Sequence, residues 1–115
     1  MNKRQILHLT EQIALYLSEE WTVERMASEI GLSVSRFHHA FKEHFGMTPQ
    51  EYIRDARLNR AREILQDPHN FDSIKQIAYS VGIHDKSHFS RDFRKKFGQT
   101  PTEFRDNIPE SSLLT

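Results

Sequence analysis

The chain of 115 residues contains no cysteine, which excludes a disulfide framework, an iron–sulfur cluster, a thiolate zinc site and a cysteine nucleophile. That composition fits a reducing cytoplasm. With four glycines and four prolines it has too little of either for a low-complexity chain. It lacks any run of 18 consecutive apolar residues and any secretory hydrophobic segment near its start, so neither a membrane span nor a signal peptide is predicted. Net charge is missing as well, because 16 Lys and Arg balance 16 Asp and Glu. As a bulk property, that zero argues against binding nucleic acid through positive charge alone. The length permits one or two small domains and rules out a large two-layer enzyme.

What is present is helical periodicity and a repeat. Ile6, Leu9, Ile13 and Leu17 recur at helical spacing, as do Phe37, Phe41 and Phe45, and no period-two alternation marks a strand. Laying Gly31 on Gly82, 51 residues on, and Phe37 on Phe89, 52 residues on, aligns two copies of one unit. Val23, Met26, Ala27, Ile30 and Leu32 fall on Ile74, Ile77, Ala78, Val81 and Ile83; seven of the 16 positions from Phe37 to Tyr52 are identical in the second copy. The chain is therefore an all-α protein of two helical units. They span roughly 20–52 and 71–104.

Local signals set the helix ends. In Gly46-Met47-Thr48-Pro49-Gln50-Glu51 the glycine suits a left-handed C′ position, Thr48 and Glu51 form a capping box, and Pro49 sits at N1 where its missing N–H costs nothing. Gly98-Gln99-Thr100-Pro101-Thr102-Glu103 repeats the arrangement, so the motif is helix architecture and not a phosphate-binding loop. Ser73 with Gln76 is a further capping box, and Thr22 and Ser33 are N-caps. These signals predict helices at 3–18, 22–30, 33–45, 49–66, 73–81, 86–97 and 101–106. They divide the chain into a first subdomain (1–48), a linker helix (49–67), a second subdomain (68–108) and a loose tail (109–115).

In each copy a short helix, a glycine turn and a second helix make a helix-turn-helix pattern. Ala27 and Ala78 are small where the helices cross, and Gly31 and Gly82 can take the positive φ that the turn needs. Met26, Ile30, Leu32, Phe37 and Ala40 supply the first miniature core; Ile77, Val81, Ile83 and Phe89 supply the second. The second turn is one residue longer. Two tandem copies ending in F-G-x-T-P-x-E, with Ile30-Gly31-Leu32-Ser33, Phe41-Lys42-Glu43, Arg57-Leu58, Ala61, Leu65, Ile77-Ala78 and Ser90-Arg91-Asp92-Phe93-Arg94-Lys95 through Phe104-Arg105, resemble the AraC/XylS family of bacterial transcription regulators. The resemblance covers about 6–106. It implies two helix-turn-helix motifs joined by a long linker helix, sequence-specific binding to double-stranded promoter DNA, RNA polymerase as a partner, and an N-terminal sensor or receiver domain outside this chain. Where this chain has His39, the family usually has arginine.

The neutral total resolves by position. Residues 33–62 hold six cations against three acids and residues 86–105 six against two, net +3 and +4, while 1–32, 63–85 and 106–115 are each net acidic. Cations thus gather in the second helix of each motif and in the linker, as a DNA face with an acidic back requires. Helical phase sorts them further, since the phenylalanine stripes mark the inward side. The N-terminal residues of a recognition helix reach base edges and later cations reach phosphate. Ser35, His38, His39, Lys86, Ser87, His88 and Arg91 are accordingly assigned to bases, and Arg36, Lys42, Arg94 and Lys95 to phosphate. Arg91 stands out because a guanidinium engages guanine O6 and N7 bidentately. The two recognition helices would enter successive major grooves about 34 Å apart, and because they differ in sequence a single chain would read an asymmetric site.

Other readings weigh less. The phenylalanine stripes are core and not base-stacking platforms. His84 and His88 have metal-ligand spacing only if one helix holds both, and the turn puts His84 outside it. No Ser/His/Asp set signals an enzyme, and no metal or cofactor is implied. Arg57, amid Ile53, Ala56, Ala61 and Ile64, reads as a partly buried arginine that pairs with a carboxylate or a helix C-terminus to lock the two lobes, ahead of a DNA contact. Trp21 reads as a staple between helices and Glu19-Glu20 as a solvated helix end. The alternative function is a helical protein–protein adaptor without DNA binding.

Overall fold

A computed structural model describes residues 1–108; the tail expected at 109–115 lies outside the described residues. Seven helices follow in order: α1 (Lys3–Leu15), α2 (Val23–Glu29), α3 (Val34–Phe45), α4 (Pro49–Gln66), α5 (Ile74–Ser80), α6 (Lys86–Phe97) and α7 (Pro101–Asp106). No strand occurs among the described residues. The chain divides inside α4, after Ala56, into two compact units.

The helix starts are set by the caps read from sequence. Thr22 and Ser33 accept from the backbone N–H of Arg25 and Arg36, and Ser73 forms its box with Gln76. Thr48 and Glu51 close theirs with bonds of 3.2 and 3.4 Å, and Thr100 with Glu103 repeats it. An unforeseen capping box, Asn2 with Gln5, starts α1. That helix ends three residues sooner than its periodicity predicts. The Tyr16 carbonyl accepts from Glu19 N–H and from Trp21 Nε1–H, both at 3.0 Å, which leaves it no i+4 amide and turns the chain out of the α pattern.

In the first unit Leu9, Ile13, Trp21, Met26, Ala27, Ile30, Phe37, Phe41 and Ile53 form the core. Trp21 is the expected staple: its indole is buried, and Arg25 stacks over it at 3.8 Å. Ala40, expected in this core, is only half-buried and lines a shallow surface hollow with Met1, Glu43 and His44. In its place Phe41 is fully buried, packed on Phe37, Phe45 and Tyr52 with ring centroids 4.4–5.5 Å apart. The second unit has its own core of Leu58, Ala61, Leu65, Ile77, Ala78, Val81, Phe89 and Phe93. Phe93 repeats the role of Phe41, touching Phe89, Phe97 and Phe104 at 4.6–5.7 Å. Gln5 Nε2 donates to the Ile30 carbonyl at 3.0 Å and pins α1 to the end of α2; Arg105 Nη1 donates to the Asp72 carbonyl at 2.6 Å and does the same for α7 and the loop before α5.

The turn between the motif's two helices is built alike in both units. Gly31 and Gly82 have φ of +69° and +95°, and the next residue's N–H reaches back to the small residue at the helix crossing, Leu32 to Ala27 at 3.0 Å and Ile83 to Ala78 at 2.9 Å. These long-range closures are the glycine-dependent helix stop. The extra residue of the second turn is His84, which stacks on Tyr79 with centroids 4.9 Å apart. Through it the cap moves from Ser33, two residues past the glycine, to Asp85, three past it.

Candidate nucleic-acid interface

Each unit presents one helix whose inner side is spent on phenylalanines and whose outer side is polar. On α3, Ser35, Arg36, His38, His39 and Lys42 are all exposed, while Phe37 and Phe41 are fully buried. On α6, Lys86, Ser87, His88, Arg91, Arg94 and Lys95 are exposed around buried Phe89 and Phe93. The eleven residues singled out by helical phase thus fall on two solvent-facing surfaces, five on α3 and six on α6.

The cations on those surfaces are available to a ligand. The side chains of Arg36, Lys42, Lys86 and Lys95 make no ion pair or hydrogen bond among the described residues, and Arg91 Nε donates only weakly to its own helix, to the Ser87 carbonyl at 3.4 Å. Solvated, unpaired guanidinium and ammonium groups cost little to transfer to phosphate or base oxygens. The arginines of α4 have partners within the chain, although Arg54, Arg60 and Arg62 keep exposed side chains. Arg60 pairs with Glu63 at 2.9 Å, and Arg62 lies 5.0 Å over the Phe97 ring. Arg57 is half-buried, and burial lowers its pKa. Its guanidinium fills the space where Gly82 has no side chain, since a Cβ there would lie 2.9 Å from Nε and 3.0 Å from Cζ. It therefore packs against the turn after α5.

Two features of the reading surfaces escaped the sequence. Asp85 caps α6, accepting from the His88 N–H at 3.0 Å; that bond, then the charge of a protonated His88, the Ser87 N–H and the Arg91 charge hold its carboxyl below the usual range despite some opposing desolvation. An aspartate directly before a helical run was the available signal. The second is pairing of histidines with acids on both surfaces, His39 with Glu43 at 3.8 Å and His88 with Asp85 at 3.9 Å. No helix among the described residues is long and apolar enough to cross a membrane.

Comparison with known proteins agrees with this construction. Residues 26–107 match the family model described as a helix-turn-helix domain. The chain is 39% identical over 98 residues to the HTH-type transcriptional activator RhaS of Escherichia fergusonii, covering 85% of this chain and 34% of that protein; it thus spans about a third of the length of that relative. Among solved structures, a transcriptional regulator of Chromobacterium violaceum with an AraC-type DNA-binding domain superposes with a TM-score of 0.84 at 29% identity, covering 94% of this chain and 95% of that one. A DNA-binding transcriptional dual regulator of Escherichia coli superposes with a TM-score of 0.78 at 31% identity, covering 89% and 95%. Two copies of a glycine-turned helix pair, each with a solvated polar outer helix, and a family match across both place the chain in the AraC/XylS family of transcription regulators, as its helix-turn-helix domain.

Proposed function

We propose that α3 and α6 are the two recognition helices of a promoter-binding regulator and that their outer surfaces divide the work as helical phase suggests. Ser35, His38 and His39 on α3 and Lys86, Ser87, His88 and Arg91 on α6 read base edges; Arg36, Lys42, Arg94 and Lys95 hold phosphates. The observation that carries this reading is that the exposed face of each helix is polar and largely unpaired while the cations on α4 and α7 have partners within the chain. Because the two surfaces differ in sequence, a single chain reads two unlike half-sites, with residues 49–67 as the link between the reading subdomains 1–48 and 68–108.

The relatives named above are an activator and a dual regulator several-fold to slightly different in length, and the same role in transcription control is proposed here, in the bacterial cytoplasm, with RNA polymerase as the partner and a sensor or receiver domain as the attached control element. Selection of bound duplexes from a random pool is the test. The expected result is a two-part asymmetric site whose affinity falls steeply with salt. Arg91→Ala should relax preference at one position of one half-site by about tenfold or more. Unchanged sequence preference in Arg91→Ala would remove α6 from base reading.

A further inference from the structure

The two copies run in register, 52 residues apart, from Phe37 on Phe89 to Glu51 on Glu103, and both recognition helices stop at a left-handed glycine, Gly46 and Gly98. Side chains 52 residues apart therefore hold the same place on the two reading surfaces. Ser35 matches Ser87 and Lys42 matches Arg94 in kind. At three outer places the kind changes, with Arg36 where α6 has His88, His39 where α6 has Arg91 and Glu43 where α6 has Lys95, and only the last puts an acid in place of a cation. From cap to last residue, α3 holds Arg36 and Lys42 against Glu43, net +1, whereas α6 holds Lys86, Arg91, Arg94, Lys95 and Lys96 against Asp85 and Asp92, net +3. Asp85, moreover, is spent on its cap.

Glu43 has no comparable structural task. It is 77% exposed, its partner His39 is 85% exposed, and the two are 3.8 Å apart, a geometry of small worth. It also sits in the last turn of α3 (Val34–Phe45), where the helix dipole disfavours an anion. We propose that Glu43 limits the DNA affinity of the first recognition helix, leaving α6 as the anchor and α3 as a subordinate reader. The inference rests on the reading that the outer face of α3 meets DNA. Lys95 faces phosphate at the equivalent place; a carboxylate there opposes the backbone of any sequence within the Debye length of about 8 Å. The half-site read by α3 then contributes chiefly through its bases, and the half-site read by α6 dominates the total.

The experiment is a salt series with the full chain on its selected duplex and on duplexes with one half-site scrambled, for the wild type, Glu43→Gln, Glu43→Lys and Lys42→Ala. Charges about 7 Å apart in water predict roughly threefold tighter binding for Glu43→Gln and about tenfold for Glu43→Lys. The second variant should also steepen the slope of log K against log[salt] by about 0.9. In the wild type, scrambling the half-site of α6 should cost more than scrambling that of α3, and Glu43→Lys should narrow the gap. If Lys42→Ala weakens binding while neither Glu43 variant moves it, Glu43 does not oppose the phosphates and the proposal fails alone. If none of the three moves it, α3 does not meet DNA and both readings fail. Weaker binding in Glu43→Gln also overturns the proposal, because the carboxylate would then be accepting from a base.

Discussion

Gly82 offers the sharpest test of how the second motif is held. Replacing it with alanine perturbs two things at once: a backbone at φ +95° and a space already filled by the Arg57 guanidinium, whose Nε, Cζ and Nη2 would lie 2.9, 3.0 and 3.1 Å from the new Cβ. Gly31 is the internal control. It makes the same turn in the first unit at φ +69°, and an added Cβ there meets nothing within 4 Å. Left-handed strain alone puts Gly31→Ala at about 1–2 kcal/mol. Gly82→Ala carries left-handed strain of the same order together with the cost of displacing the guanidinium end of a half-buried arginine, at most about 1–3 kcal/mol. The difference between the two variants should lie within that cost, up to several degrees in Tm for units of this size. A double-mutant cycle isolates the steric part. In an Arg57→Ala background, Gly82→Ala should fall to the cost of Gly31→Ala. Thermal and urea unfolding followed by circular dichroism measure all four states. Effects that add within about 0.5 kcal/mol, or equal costs at the two glycines, would refute the contact as the reason glycine is needed there.

Three further outcomes follow from the same surfaces. Lys42→Ala should weaken binding to all duplexes about equally and lower the salt slope by about 0.9; a change in base preference would contradict its assignment to phosphate. Asp85→Ala should lose the α6 cap, and the loss should depend on pH. The folded-state pKa of Asp85 lies below its ordinary 3.8, so its contribution is fully present above that ordinary value and disappears as pH falls through the lower folded value. The gap in unfolding free energy between wild type and Asp85→Ala measured at pH 7 should therefore narrow as pH falls below 3.8 toward the part that a neutral cap retains, and Asp85→Asn should show that part across the range. Phe93→Ala, which empties a site touched by Phe89, Phe97 and Phe104, should cost about 3–5 kcal/mol in chemical denaturation; a cost under 1 kcal/mol would show that the second core collapses around the gap.

The periodic features were legible in the sequence because they are local. A capping box needs residues three apart, a phenylalanine stripe needs four, and a glycine turn needs one position of positive φ; each is written within a single turn of chain. The repeat doubles every signal, so Thr48-Pro49-x-Glu51 and Thr100-Pro101-x-Glu103 support one another. What stayed hidden depended on partners far along the chain or on competition for one carbonyl. The early end of α1 arises because Trp21 and Glu19 take the Tyr16 carbonyl. Ala40 is only half-buried, at the edge of the phenylalanine face beside Met1, Glu43 and His44. The engagement of Arg105 with Asp72, 33 residues away, left no trace in spacing.

The neutral net charge acquires a different meaning from these contacts. Counted along the chain, positive charge fell on the recognition helices and the linker alike. Counted by engagement, the linker cations differ from those on the outer faces of α3 and α6, because each has a partner within the chain: Arg57 fills the space beside Gly82, Arg60 pairs with Glu63 in an exposed contact of small worth and Arg62 covers Phe97. The exposed cations of these two helices are Arg36 and Lys42 on α3 against Lys86, Arg91, Arg94, Lys95 and Lys96 on α6. Affinity from counterion release scales with phosphates neutralised, so a chain with so few available cations, unequally shared, gains most of its non-specific hold through one helix. Base contacts should then supply a larger share of the total than in a strongly basic relative, and a single mismatched pair in the half-site proposed for α6 should cost about 1–3 kcal/mol, read as a roughly fivefold to hundredfold rise in Kd at physiological salt.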